Sequence, residues 1–189
     1  HSKEDAEDLT QTFFSRLLDR GMFAGLDRGN GRFRAFLLAS LKHFLANEWD
    51  RKQAVKRGGS ITHLSLDWQS ADQRFELADS PANSPEAEFD REWALTLLAR
   101  VIDRLGNEFR TQGKEDEFEV LKGCLTEARD GIRYTEIAGS LGIDEGAVRV
   151  RVHRLRKRYR DLLKREISET LEDPAMVEEE LAALLGAFR

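Results

Sequence analysis

Seven lysine or arginine residues and no acidic residue lie between positions 149 and 160. Positive charge at this density attracts phosphate groups, so the chemistry that the segment offers is binding to a nucleic-acid backbone. Many basic helices are simply solvated, and charge alone favours that simpler interpretation. The residues in front of the basic segment therefore decide between the two interpretations.

The segment 134–160 has the pattern of two helices joined by a tight turn. Ile137, Ala138 and Leu141 recur at helical spacing, with a small residue where two helices must approach closely. Gly142 can supply the left-handed backbone of the turn, and Asp144 can accept a hydrogen bond from the free N–H groups of the next helix. We therefore predict a helix, a turn and a second helix.

The second helix has one apolar face. Val148, Val152 and Leu155 are spaced by four and three residues, and we expect them to pack inward together with Ile143. The other positions, which carry the basic side chains, are free to face outward. A basic helix presented after such a turn is typical of a DNA-binding helix-turn-helix motif.

Charge is segregated along the chain. The 189 residues have a formal net charge of −5, although positions 149–160 contribute +7 and positions 51–57 contribute +4, so the remaining residues carry −16. Such segregation keeps a DNA-binding surface positive and leaves acidic surface for a protein partner.

The composition argues against several classes of site. The single cysteine, Cys124, excludes an internal disulfide and a multi-cysteine metal site, and its apolar surroundings predict a buried thiol. The four histidines lack metal-ligand spacing, no nucleophile has a plausible base, and residues 21–31 lack the lysine of a phosphate-binding loop. We expect no enzymatic activity, no metal and no cofactor.

Helical periodicity throughout predicts an all-α protein with two small helical domains. The first domain, 1–58, contains a helix capped by Ser2 and a longer helix over 32–57. An acidic, flexible linker follows over 59–83. The second domain, 84–171, contains four helices, including one over 117–125 and the basic helix over 145–167, and an acidic helix occupies 172–189. The absence of a long apolar run or a signal peptide predicts a cytoplasmic protein without a membrane span.

Three segments follow one another along the chain: EDAEDLTQTFFSRLL, GRFRAFLLASLKHFLANEWDRKQAVKRG and YTEIAGSLGIDEGAVRVRVHRLRKR. In this order they resemble the bacterial sigma factors of the extracytoplasmic-function (ECF) group, with planctomycete-like members most similar. The first resembles the second half of region two, the second resembles the promoter-melting helix that follows it, and the third resembles region four, which reads the −35 element. The first helix of region two has no counterpart, so we expect further residues upstream of His1.

The resemblance implies a sigma factor that binds core RNA polymerase and directs initiation at promoter DNA. On the first helix, Asp8, Gln11 and Phe14 would dock on the polymerase, with Phe14 as an apolar anchor. Phe14 is equally well explained as a core residue. An anti-sigma protein is a further candidate partner.

Promoter melting at the −10 element requires flat surfaces for unstacked bases and positive charge along the exposed strand. The end of the second helix supplies both through Asn47, Trp49, Arg51, Lys52, Lys56 and Arg57. Trp49 also continues an apolar stripe that runs from Leu38 to Leu45, and core packing is the favoured interpretation for it.

On the basic helix, we expect four side chains at base edges of the −35 element and four at phosphates, some of the latter being ordinary surface charge. The first group is Arg149, Val150, His153 and Arg154, and the second is Arg151, Arg156, Lys157 and Arg160. The alternative to a sigma factor is an autonomous helix-turn-helix regulator with an N-terminal dimerisation domain, which would bind duplex DNA without polymerase.

Overall fold

The computed structural model describes residues 2–19, 32–56, 84–128 and 130–188. Regular structure in these ranges is helical apart from one isolated bridge between Arg32 and Leu171, which confirms the predicted all-α class. The predicted linker over 59–83 lies outside the described residues. The helices are α1 (Lys3–Asp19), α2 (Phe33–Lys56), α3 (Pro85–Thr111), α4 (Glu115–Leu121), α5 (Tyr134–Leu141), α6 (Glu145–Ser168) and α7 (Val177–Gly186).

Contacts divide the chain into two compact units, His1–Phe89 with Thr170–Pro174, and Asp90–Glu169 with Ala175–Arg189. In the first unit, α1 begins at the predicted cap, where the Asp5 N–H donates to Ser2 Oγ at 3.1 Å. Phe13 of α1 is buried against Phe44 of α2, with ring centroids 5.5 Å apart. The first unit therefore has its own apolar contact between α1 and α2.

The buried face of α2 includes the charged residue Glu48. Leu37, Ser40, Phe44 and Glu48 are buried at spacings of three, four and four, and Glu48 Oε1 lies 2.9 Å from Arg16 Nη1. Because this ion pair holds Glu48 inward, the neighbouring position faces out and Trp49 is 56% exposed. The expectation that Trp49 packs in the core is wrong.

The second unit buries a continuous apolar core between its helices. Val101 and Leu105 of α3 and Val148 of α6 are fully inaccessible to solvent. A Cβ at Gly106 would lie only 3.0 Å from Phe118 Cε1, so the absence of a side chain there permits the close approach of α3 and α4. The four helices predicted for this part of the chain are confirmed, and they correspond to α3, α4, α5 and α6.

One carboxylate is buried in the second unit between α3 and α6. Glu166 is 6% exposed, and its Oε1 accepts a hydrogen bond from Arg104 Nη1 at 2.7 Å. Its Oε2 lies 3.4 Å from Arg100 Nη2. Burial of a charged group is costly unless it is paired, so both arginines stabilise this packing.

The acidic tail forms a 3₁₀ turn over Pro174–Met176 and then α7. Val177 and Leu184 are buried, and α7 contacts α6 within the second unit. Lys164 of α6 forms an ion pair with Glu178 of α7. Cys124 is buried, which confirms its predicted place in the core.

Burial raises the pKa of the Cys124 thiol above its ordinary value. A raised pKa lowers the thiolate fraction at any given pH near 8, and the thiolate is the form that alkylating agents attack. We expect iodoacetamide to label the native chain at least about tenfold more slowly than the urea-unfolded chain. Mass spectrometry of samples taken over time at pH 8 measures both rates, and equal rates would contradict the buried position.

Candidate nucleic-acid interface

The turn between α5 and α6 has the geometry that its residues predict. Gly142 ends α5 with φ 63° and ψ 33°, the left-handed region that glycine adopts without a Cβ penalty. The Ile143 N–H donates to the Ala138 carbonyl at 3.1 Å. Asp144 is extended, with φ −76° and ψ 157°, and its Oδ1 accepts a hydrogen bond from the Ala147 N–H at 2.9 Å. The predicted helix, turn and second helix are therefore confirmed.

The inward face of α6 also follows the prediction. Val148, Val152 and Leu155 are all buried in the second unit. Ile143, in the turn, is half-buried. This apolar face fixes the rotation of α6 about its own axis and thereby determines which basic side chains are accessible.

Two of the α6 arginines are paired with carboxylates on other helices of the second unit. Arg151 Nη1 lies 2.9 Å from Glu117 Oε1 on α4. Arg158 donates to both oxygens of Glu108 on α3, from Nε at 2.8 Å and from Nη2 at 2.5 Å. These hydrogen bonds lower the pKa of Glu108 and raise that of Arg158. The two guanidinium groups therefore connect α6 to α4 and to α3.

Arg156 donates to the backbone rather than to an acid. Its Nε donates to the Cys124 carbonyl at 2.8 Å and its Nη2 to the Glu127 carbonyl at 2.5 Å. These carbonyls belong to the turn after α4, where the last carbonyls of a helix need donors. Arg151 and Arg156 were predicted to contact phosphates, and the structure places both against protein acceptors instead.

We expect Arg156→Met to lower the free energy of unfolding by about 2 kcal/mol, because it keeps the aliphatic stem but removes two charge-assisted hydrogen bonds. Arg160→Met is the matched control, since it removes the same charge from the same helix at an exposed position. Its effect should stay within about 0.5 kcal/mol. Urea unfolding followed by circular dichroism measures both, and equal losses would show that the Arg156 hydrogen bonds contribute nothing.

A further set of α6 side chains faces solvent along one stripe. Arg154, Lys157 and Arg160 are exposed and have no acidic partner among the residues that the structure describes. Val150 and His153 lie on the same exposed surface. We call these five residues the free stripe of α6. Three unneutralised cations on one helix surface form a field that phosphates can neutralise.

The free stripe borders a shallow hollow of about 440 Å³ on the second unit. Six side chains line it, five of them potentially cationic: His153, Arg156, Lys157, Arg160, Asp161 and Lys164. Positive residues around a concave surface favour an anionic group there. The hollow therefore extends the positively charged surface of the stripe towards the C-terminal half of α6.

Arg149, the first predicted base-reading residue, is exposed, but two neighbouring side chains restrain it. Its guanidinium carbon lies 4.1 Å from the ring centroid of Tyr134, and its Nη2 lies 3.7 Å from Glu145 Oε2. Sequence reasoning missed Tyr134 as a contact of Arg149. The i,i+4 spacing of Glu145 and Arg149 is a signal that could have found the second contact.

In the first unit, the three predicted polymerase-binding residues Asp8, Gln11 and Phe14 are all exposed on α1. Phe14 is 45% exposed, whereas its neighbour Phe13 fills the core, which removes the core explanation for Phe14. The surface that these three residues share is thus open to a partner.

The predicted melting residues divide into exposed and half-buried positions. Trp49, Arg51 and Lys52 are exposed on α2, and Asn47 is half-buried. Arg51 Nη2 lies 3.6 Å from Glu48 Oε2. Lys56 is the last residue of α2, and Arg57 lies outside the described residues. Of the described part of the set, Lys52 lies one helical turn from the exposed Trp49, whereas Arg51 lies two residues on and does not face it.

Within the described ranges, no group of three or more histidine, cysteine or acidic residues is placed to hold a metal ion. No helix in the same ranges is long and apolar enough to span a membrane. Comparison of the chain with protein-family models, curated proteins and solved structures finds no match.

Proposed function

We propose that this protein is a sigma factor, which binds core RNA polymerase and directs promoter-specific initiation. The observation that carries the proposal is the free stripe on α6, held outward by a capped helix and a left-handed turn. A helix presented in this way can enter the major groove, with its exposed cations at the phosphates on either side. The three sequence motifs and their order resemble those of the ECF sigma factors. This resemblance supports core RNA polymerase and promoter DNA as the partners.

The role of α6 is to read the −35 element. Arg149, Val150, His153 and Arg154 occupy its N-terminal half, the part of a recognition helix that meets base edges. Lys157 and Arg160 follow and contact phosphates, which positions the helix without specifying a sequence. We leave Arg151 and Arg156 out of the DNA contacts, because their guanidinium groups already have protein acceptors.

The first unit supplies the polymerase-binding and melting functions of the proposal. The exposed ring of Phe14 beside Asp8 and Gln11 offers an apolar anchor within a polar surround, as protein interfaces often do. Trp49 is exposed with Lys52 one helical turn further along α2, and it can stack an unpaired base while the cation holds the strand. This feature favours a role in opening DNA over one in dimerisation, whereas the surface around Phe14 fits a protein partner of either kind.

The test is selection from a library of random promoter-length duplexes by core RNA polymerase with the full chain. We expect enriched fragments to share two separated elements and to support transcription only when the chain is present. Phe14→Ala should reduce binding to core polymerase, while Leu95→Ala, a change at an exposed apolar residue of the second unit, should not. Enrichment by the chain alone would favour the autonomous regulator, and enrichment of no sequence would reject both.

A further inference from the structure

The start of α5 and the first turn of α6 are linked by a closed set of four side chains. The Thr135 hydroxyl donates to Glu145 Oε1 at 2.6 Å. The other oxygen of that carboxylate, Oε2, faces Arg149 Nη2 at 3.7 Å. The guanidinium of Arg149 in turn lies over the ring of Tyr134, the neighbour of Thr135. The set thus runs from α5 to α6 and back.

The contact with Tyr134 restrains Arg149 without using its hydrogen-bond donors. The guanidinium carbon lies over the ring, 4.1 Å from its centroid, so the cation meets a π face rather than an acceptor atom. The five N–H donors of arginine point outward from the edge of the group, in its plane. A guanidinium held by this contact keeps donors for the two acceptors of a guanine.

The contact with Glu145 helps to orient the Arg149 side chain but neutralises little of its charge. At 3.7 Å the pair is longer than a hydrogen bond, and both side chains are about half exposed. The strong partner of Glu145 is Thr135, whose hydroxyl fixes the carboxylate. Glu145 is thus held where its carboxylate attracts Nη2 of Arg149 and leaves the other guanidinium nitrogens of Arg149 uncontacted.

Restraint of this kind matters because a free arginine loses rotamer entropy when it is fixed. A side chain that is already held by the ring has lost part of that entropy before DNA arrives, and a restrained residue favours its matching base over others. We infer that Tyr134 and Thr135 are positioning residues that pre-orient Arg149 for base recognition. This inference rests on the proposed reading of DNA by α6.

Two pairs of variants test it in the full chain. Tyr134→Leu removes the ring and Tyr134→Phe keeps it, while Thr135→Val removes the hydroxyl and Thr135→Ser keeps it. The first measurement is ¹⁵N relaxation of the Arg149 side-chain Nε in the absence of DNA. We expect greater mobility in Tyr134→Leu and Thr135→Val, and wild-type mobility in the two conservative variants.

The second measurement is the ratio of affinities of the polymerase-bound chain for a selected promoter fragment and for the same fragment with its upstream element scrambled. We expect Tyr134→Leu to reduce this ratio about two- to fivefold and Tyr134→Phe to preserve it. In an Arg149→Ala background, Tyr134→Leu should have no further effect, which a general loss of folding would not produce.

The outcomes separate the inference from the proposed function. Unchanged Arg149 mobility in Tyr134→Leu overturns the inference, whether or not the chain acts with polymerase. If Arg149→Ala lowers the ratio and Tyr134→Leu does not, the inference fails and base reading by Arg149 stands. If Arg149→Ala leaves the ratio unchanged, both the base-reading assignment and the inference fail.

Discussion

Replacing Lys157 and Arg160 together by glutamine is expected to reduce the slope of log affinity against log salt concentration by about 1.8, since each phosphate contact contributes about 0.9. Both side chains are exposed on the free stripe and have no acidic partner among the described residues. The reduced slope corresponds to roughly 60-fold weaker binding at about 0.1 M salt if the affinity at 1 M is unchanged. Titration of a selected promoter fragment with the polymerase-bound chain measures it.

The matched control is Lys114→Gln with Lys122→Gln. It removes the same formal charge from exposed positions at the two ends of α4, outside α6. If net charge alone governs binding, the two double variants will weaken it equally. If the free stripe contacts phosphates, the control retains a nearly wild-type slope, and an equal loss in both variants would contradict the assignment.

The second large effect concerns the buried carboxylate of Glu166. We expect Arg100→Met combined with Arg104→Met to lower the free energy of unfolding of the second unit by about 3–5 kcal/mol, because it leaves a buried charge without a partner. Urea unfolding can be followed by Trp93 fluorescence in a background with Trp49 and Trp68 replaced by phenylalanine. Trp93 then reports the second unit, to which it belongs.

Adding Glu166→Gln to that variant should recover most of the lost stability, since it removes the charge that the arginines compensated. Arg110→Met serves as the control, because its ion pair with Glu115 is exposed and should contribute under about 1 kcal/mol. A loss of similar size in the control, or no recovery with glutamine, would show that the effect does not arise from the buried charge.

Short-range chemistry made the helix-turn-helix predictable. Gly142 and Asp144 act on groups within four residues of themselves, and the apolar spacing of α6 requires no knowledge of the partner helices. The same holds for the Ser2 cap at the start of α1. These parts of the fold and the outward orientation of the basic stripe followed from the sequence.

The partners of the α6 arginines could not be predicted in this way. Arg151 pairs with Glu117 and Arg158 with Glu108, over separations of 34 and 50 residues. Sequence spacing does not identify such partners, because they depend on how helices pack. An acidic residue at a core position caused the error at Trp49, since an apolar pattern cannot place a buried, paired Glu48.

Under the proposed function, the division of the α6 cations between protein acceptors and free positions allows the helix to change its preferred DNA sequence during evolution without losing stability. Substitution at 150, 153, 154 and 157 alters only groups that face solvent, which usually costs little stability. Substitution at 151, 156 or 158 removes a contact to α3, α4 or the turn after α4. Chains that diverge from this one to recognise new promoters should therefore vary along one side of α6 and keep guanidinium groups along the other.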